Sequence, residues 1–104
     1  MSTVAAPDRL THDFFQEHVA ETFTLHLNGG GSVDLYLSEI SPLKKSQHNE
    51  HFSVIFHGPS DFFLKQGMYS MESSAGTIEL FIVPVGKEGS EFLYEAVFNR
   101  ILTT

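Results

Sequence analysis

Histidine is the residue type that could most readily build a metal site in this chain, and there are six of them. His48 and His51 lie close together in the segment QHNEH. Zinc proteases place two histidines four residues apart on one helical face with a glutamate as base, whereas this pair is three apart in a polar segment. His48–Glu50 also imitates the H-x-E of zinc deaminases, which need further cysteine or histidine ligands. We therefore expect solvated loop histidines and neither a metal nor another cofactor.

Two further motifs imitate catalytic or phosphate-binding ones. The run His57–Asp61, HGPSD, brings together the residue types of a hydrolase triad. Near neighbours in a chain cannot usually fold back into the sequential hydrogen bonds of a triad, so Ser60 or Asp61 is expected to cap backbone amides in a turn. Gly29–Gly31 lacks the lysine and the following helix of a phosphate-binding loop, which favours a hairpin.

Carboxylates could act in pairs as acid and base. A glycosidase needs a sugar-binding cleft between two carboxylates, and aromatic side chains usually line that cleft. This chain has no Trp and is too short to leave much room for a cleft. Most of the glutamates are expected on solvated strand faces, and Glu95 is the exception because its neighbours from Tyr94 to Phe98 are nearly all apolar. Two alternatives are open: Glu95 faces water from an otherwise buried strand, or it is paired inside with Arg100 or Lys65.

The elements that position these residues are predicted to be mostly strands. Thr11 is a suitable N-cap for a two-turn helix over HDFFQEHV. From Glu21 the apolar period changes to two in ETFTLHL and in SVDLYL, and Asn28–Gly31 joins these runs as a hairpin loop. The segment SEISPLKKSQHNE, which contains Pro42, is predicted to be a loop.

Four further strands follow in the second half of the chain. HFSVIFHG is predicted to end at Gly58-Pro59, and FFLKQGMYSME to be a less regular strand interrupted by Gly67. GTIELFIVPV and SEFLYEAVFN form a last hairpin around Gly86–Gly89. Both faces of its first strand are apolar, which predicts a central or doubly covered strand, and Pro84 marks where pairing on one side stops.

These elements predict a mainly β fold, an antiparallel sandwich or small barrel of about six strands with one short N-terminal helix. The chain has 104 residues, enough for a single β-rich domain over residues 11–104 after a flexible lead at residues 1–10. The adjacent Phe62 and Phe63 must point to opposite faces of an extended segment, so one of them is expected to be exposed as a partner contact.

Composition excludes several classes of function. The net charge of −7 and the lack of clustered basic residues argue against nucleic acid as a partner. The absence of cysteine excludes disulfides and thiolate chemistry. The sequence has no apolar run of about 18 residues, so membrane insertion is not expected, and no Sec signal is recognised. We therefore expect a soluble protein, cytoplasmic or exported without a cleaved Sec signal.

Four blocks carry a resemblance to a known family. They are Phe52–Pro59 (F-S-x-x-F-x-G-P), Leu64–Tyr69 (L-x-Q-G-x-Y), Leu80–Gly86 (L-F-x-V-P-V-G) and Tyr94–Asn99 (Y-E-A-V-F-N). The chain resembles, over residues 12–100, a family of small bacterial proteins classed as a domain of unknown function. That resemblance implies an association with genes for phage-tail-collar-like proteins and carries over no catalytic residue.

Function is therefore expected to be non-enzymatic. The leading hypothesis is a structural or protein-interaction module, binding a protein partner or itself, and possible structural or partner contacts are Glu95, Tyr94, Arg100, Phe62, Phe63 and Tyr69. The first alternative is a small-ligand-binding β-barrel whose pocket would be lined by phenylalanines, Tyr69 and Tyr94. The second is a small enzyme acting through Glu95, Tyr69 or a histidine pair.

Overall fold

The computed structural model describes residues 10–101, which form one short helix and seven antiparallel strands. In chain order the elements are α1 (His12–Glu17), β1 (Thr22–His26), β2 (Ser32–Ile40), β3 (Lys44–Lys45), β4 (Asn49–Gly58), β5 (Gly67–Ser73), β6 (Gly76–Glu88) and β7 (Glu91–Ile101). None of the helical residues in this range form a segment long and apolar enough to cross a bilayer.

The strand pairings close on themselves. The order across the sheet is β2-β1-β5-β6-β7-β4, and β2 also pairs with β4, so six strands surround one interior. The two-residue β3 is added beside the start of β4. The mainly β, antiparallel fold is confirmed, and the closed pairing makes it a small barrel.

The central part of the chain differs from the sequence prediction. β2 continues to Ile40, and Lys44–Lys45 forms a strand where a loop was predicted. Pairing continues because the Ser41 N–H donates to the Ser53 carbonyl at 2.9 Å while the Ser41 hydroxyl accepts from the Ser53 N–H at 2.8 Å. The fourth predicted strand starts only at Gly67.

β6 is central in the barrel wall, as its two apolar faces predicted. It pairs with β5 up to Ile82 and with β7 from Val83 onwards. Pro84 therefore lies just beyond the end of the β5 pairing, as predicted. The sequence placed the last turn at Gly86–Gly89, but β6 runs to Glu88 because the strands stay paired around a bulge between Pro84 and Gly86.

Alternate residues of every long strand fill the barrel. The strand residues of the core are Phe23, Leu25, Val33, Leu35, Leu37, Phe52, Val54, Phe56, Met71, Ile78, Leu80, Ile82, Tyr94 and Ala96. This is the period of two expected when one face of each strand is buried.

The helix packs at one end of the barrel. The Thr11 hydroxyl accepts a hydrogen bond from the Phe14 N–H at 3.1 Å, which confirms the predicted N-cap. Phe15 is fully buried, with its ring centroid 6.1 Å from that of Phe52 and 5.1 Å from that of Phe98. A two-turn helix has little stability of its own, so this aromatic contact is what holds it in place.

The predicted flexible lead at residues 1–10 lies outside the described residues except for Leu10. The Leu10 side chain belongs to the buried core.

After the helix, Glu21 ties the chain to the β5–β6 turn. Its carboxylate accepts a hydrogen bond from the Ser74 hydroxyl at 2.7 Å, and its second oxygen lies 2.9 Å from Nδ1 of His18. These two hydrogen bonds, the one from Ser74 first, lower the pKa of Glu21.

Candidate functional site

Glu95 lies on the outside of the barrel wall. Its chain neighbours Tyr94 and Ala96 are buried in the interior, and strand alternation sends Glu95 to the opposite face. On that face it stands opposite Ile55 of β4 and Val83 of β6. Glu95 itself is partly buried among these apolar neighbours.

The internal pairing considered for Glu95 is not formed. Arg100 is five residues further along β7 and therefore on the other face, where its guanidinium lies 3.5 Å from the Glu50 carboxylate. Within residues 10–101 Glu95 makes neither a hydrogen bond nor an ion pair, with Lys65 or any other side chain. Of the two alternatives, the structure therefore supports the outward one.

The surroundings of Glu95 form a continuous apolar surface, here called the outer face. It consists of Glu95 together with Ile55, Met68, Phe81, Val83, Leu93 and Val97. Leu93 and Val97 flank Glu95 along β7, and Phe81 precedes Val83 on β6 by two residues and stands opposite Met68 of β5. Phe81 is 48% exposed, Val97 51% and Met68 62%.

A groove of about 530 Å³ borders the outer face. Its lining residues are Gln16, Val19, Ser38, Glu39, Ile40, Ser41, Pro42, Ser53, Ile55 and Glu95. Glu39 stands opposite Ile55 on β2, so two carboxylates flank one isoleucine on the same side of the sheet. No lysine or arginine is among these lining residues, so the two carboxylates give the groove a negative charge.

Tyr94, predicted to be a structural or partner contact, is a core residue. It is fully buried, and its hydroxyl accepts a hydrogen bond from the Leu64 N–H at 2.9 Å. Its ring lies against Gly58, where an added Cβ would be 2.8 Å from Tyr94 Cε2 and 3.0 Å from Leu35 Cδ2. Burial raises the pKa of Tyr94. Tyr94 therefore connects the loop after β4 to the barrel and is inaccessible to a partner.

Tyr69 and Arg100 also make contacts within the chain. The Tyr69 hydroxyl donates to the Lys65 carbonyl at 2.7 Å, which holds the loop at the start of β5. The pairing of Arg100 with Glu50 links β7 to β4 across their matched register. Of the residues singled out from the sequence, only Glu95 lies on the outer face.

Phe62 and Phe63 lie elsewhere, in the loop between β4 and β5. Both are exposed, whereas one was expected to be, because this segment is not the regular strand that would have turned one ring inwards. The Phe63 ring packs edge-on against Phe92 with centroids 5.2 Å apart, and the Lys87 ammonium lies 5.0 Å from the Phe92 ring centre. These residues form a small second apolar surface near the β6–β7 turn.

His57, His51 and His26 contact polar side chains at separate places on the surface. His57 is held between two glutamates, with its Nε2 3.5 Å from Glu88 and its Nδ1 3.2 Å from Glu91. His51 contacts Asn99, and His26 contacts Glu72. In the part of the chain that the structure describes, no three histidine, aspartate or glutamate side chains converge as metal ligands do.

Sequence reasoning missed most of the outer face. It predicted two apolar faces for the strand that is β6, and Phe81 and Val83 lie on one of them. Ile55 and Met68 join these two residues only through the registers of β4 with β7 and of β5 with β6. The available signal was the alternation on β7, which places Leu93, Glu95 and Val97 together.

Comparison with known proteins adds a family. No curated protein matches the chain, and no solved structure does either. The model of one family, "Domain of unknown function (DUF6916)", matches residues 10–98, which cover almost the whole of the described barrel. The chain therefore belongs to this family of uncharacterised domains.

Proposed function

We propose that this protein is a non-enzymatic interaction module that binds a protein partner through its outer face. The observation that carries the proposal is the continuity of that face across β5, β6, β7 and β4, with three side chains about half exposed or more. Single apolar side chains on a surface are ordinary, but a contiguous patch typically marks a site of association.

The partner is proposed to be a different protein, although self-association was the other expectation. If two copies met through this face about a twofold axis that passes near Glu95, the two Glu95 carboxylates would approach each other in an apolar setting. Like charges so placed repel strongly because little water screens them. The net charge of −7 on each chain adds to the repulsion.

The interior supports this proposal over the two alternatives. A ligand-binding barrel would need room inside, but the side chains that would line its pocket, Tyr94 among them, fill the core. An enzyme acting through Glu95 would need a second catalytic group converging on the same point, and the residues directly opposite Glu95 on β4 and β6 are the apolar Ile55 and Val83.

The family resemblance suggests a class of partner. We propose that the partner is a component of a phage-tail-like assembly, in which this domain acts as a structural or assembly factor. This part rests on the blocks from Phe52 to Asn99 alone.

The test compares two pairs of exposed side chains. The full chain is used to capture proteins from its host, and the same capture is made with the double variant Phe81→Ser and Val97→Ser. The matched control is Phe62→Ser with Phe63→Ser, which removes as much exposed apolar surface from the loop between β4 and β5. The captured protein is then purified and its binding to all three chains is measured.

We expect the purified partner to bind the unsubstituted chain and the loop variant alike, and to bind the outer-face variant at least tenfold more weakly, since central interface contacts carry most of the binding energy. Loss of binding in the loop variant alone would move the interface to Phe62 and Phe63. Light scattering should show a monomer, and a stable dimer broken by Phe81→Ser and Val97→Ser would replace the partner with a second copy.

A further inference from the structure

Glu95 is the one charged residue of the outer face, and it makes no hydrogen bond or ion pair within residues 10–101. Its neighbours on three sides are Ile55, Val83 and the pair Leu93 and Val97 along its own strand. In the free protein its carboxylate is still partly exposed to water.

Any partner that covers the outer face must remove this remaining water. An ionised carboxylate that loses its hydration without a compensating partner is strongly destabilised. With a purely apolar partner, the unfavourable desolvation of Glu95 would therefore offset much of the binding free energy gained at Phe81 and Val97. A partner that brings hydrogen-bond donors or a positive charge to this point covers the whole face without that loss.

The geometry points to a protein segment in which an arginine or lysine is flanked by apolar residues, and we propose this as the partner's binding element. The inference rests on the proposed docking function of the outer face. Glu39, on the far side of Ile55, adds a second negative charge at the rim of the same surface. Two neighbouring strands lie about 4.8 Å apart, so Glu39 and Glu95 are about 10 Å apart across β4.

Ser38 and Ser53 line the same groove as the two carboxylates. A guanidinium has five donors, so one arginine could bind Glu95 and still donate to a neighbouring oxygen. An ammonium group would neutralise Glu95 with less geometric fit. We therefore expect arginine to be preferred to lysine.

The test uses random twelve-residue peptides displayed against the full chain, with peptides that also bind the Phe81→Ser and Val97→Ser variant removed. We expect the remaining peptides to share an arginine or lysine between apolar residues. One such peptide is then synthesised with arginine and with citrulline, which keeps the shape and loses the charge. Binding of both peptides is measured to the unsubstituted chain, to Glu95→Gln and to Glu72→Gln.

The four affinities form a double-mutant cycle, and we expect strong coupling between the arginine of the peptide and Glu95. Citrulline in the peptide and Glu95→Gln in the protein should each weaken binding about tenfold or more, and both changes together should weaken it little more than either alone. Glu72→Gln removes the same net charge from β5, where Glu72 pairs with His26, and should leave the affinity unchanged.

The two proposals fail in different ways. Selected peptides without a basic residue, or peptides that bind Glu95→Gln as well as the unsubstituted chain, would overturn the inference about the cation. The docking function would survive that result because the same peptides were chosen for needing Phe81 and Val97. If no peptide distinguishes the unsubstituted chain from the Phe81→Ser and Val97→Ser variant, both proposals are wrong.

Discussion

Tyr94 and Glu95 are adjacent in the chain and lie on opposite sides of the same wall. On the inner side, Tyr94 is fully buried, and its ring packs closely against Gly58. The outer side, with Glu95, also carries apolar side chains, and Phe81 and Val97 there are about half exposed. Residues that alternate along β7 therefore differ in exposure: one set is buried in the barrel, and the other, which includes Val97, faces outwards.

The strongest test of this comparison is the removal of the Tyr94 side chain. Tyr94→Ala leaves a cavity in the interior and should lower the free energy of unfolding by about 3–5 kcal/mol. Val97→Ala, three residues away on the outer side, should change it by no more than about 0.5 kcal/mol. Urea unfolding of both variants measures the two values, and equal losses would show that the outer side is part of the stabilising core.

A second test adds a methyl group on the inner side. Gly58→Ala places a Cβ 2.8 Å from the Tyr94 ring and 3.0 Å from Leu35. Neither side chain can move away freely, because both are fully buried, so the variant should lose about 1–3 kcal/mol. Gly86→Ala is the control, since a Cβ there meets nothing within 4 Å.

A third test removes only the Tyr94 hydroxyl. Tyr94→Phe keeps the ring but leaves the Leu64 N–H without its acceptor, which should cost about 1–2 kcal/mol at neutral pH. Proteolysis in the loop between β4 and β5 should become faster, since this hydrogen bond fixes the loop to the barrel. Unchanged stability would mean that water replaces the hydroxyl.

The Tyr94→Phe variant also tests how the stability of the protein depends on pH in the alkaline range. Burial raises the pKa of Tyr94 in the folded state, so above the ordinary value of 10.0 the unfolded chain loses its tyrosine proton first. The stabilisation due to Tyr94 is therefore fully present below that pH and falls as the pH rises towards the folded pKa. In thermal unfolding, the gap between the unsubstituted chain and Tyr94→Phe should narrow above about pH 10. A constant gap would contradict the buried ionisation.

The smallest effect is expected on the outer side. Glu95→Leu should change the free energy of unfolding by no more than about 0.5 kcal/mol, because Glu95 makes no ion pair or hydrogen bond within the described residues. It should also lower solubility, since the outer face would lose its only charge. Chemical denaturation and a precipitation curve check these outcomes, and a loss above about 2 kcal/mol would mean that Glu95 is a structural residue after all.

Local patterns were sufficient for most of the fold. Thr11 at the N-cap, the period of two on β1 and β2, and the role of Pro84 all depend on a few neighbouring residues, and each was confirmed. The errors came where distant groups decide the outcome. Lys44–Lys45 is a strand because β4 supplies its pairing, and the loop before β5 stays irregular because Tyr94 binds Leu64.

The candidate site was less predictable than the fold. The apolar neighbours of Glu95 marked it as unusual, but they were equally consistent with a buried ion pair. Tyr94, Tyr69 and Arg100 were grouped with it although their contacts lie within the chain. The sequence shows which residues of a strand lie on the same side. Which of the two sides faces inwards is decided only when the sheet closes.

The amino-acid sequence by itself determined the strands, the hairpins and the alternation, because backbone geometry and the period of side chains act over a few residues. Only the tertiary structure decided that the wall closes through the pairing of β2 with β4, since that contact joins residues 14 to 21 apart in the chain whose register no local pattern specifies. Closure then assigned an inside to Tyr94 and an outside to Glu95, and with that assignment it brought Ile55, Val83 and Glu95 together on one face.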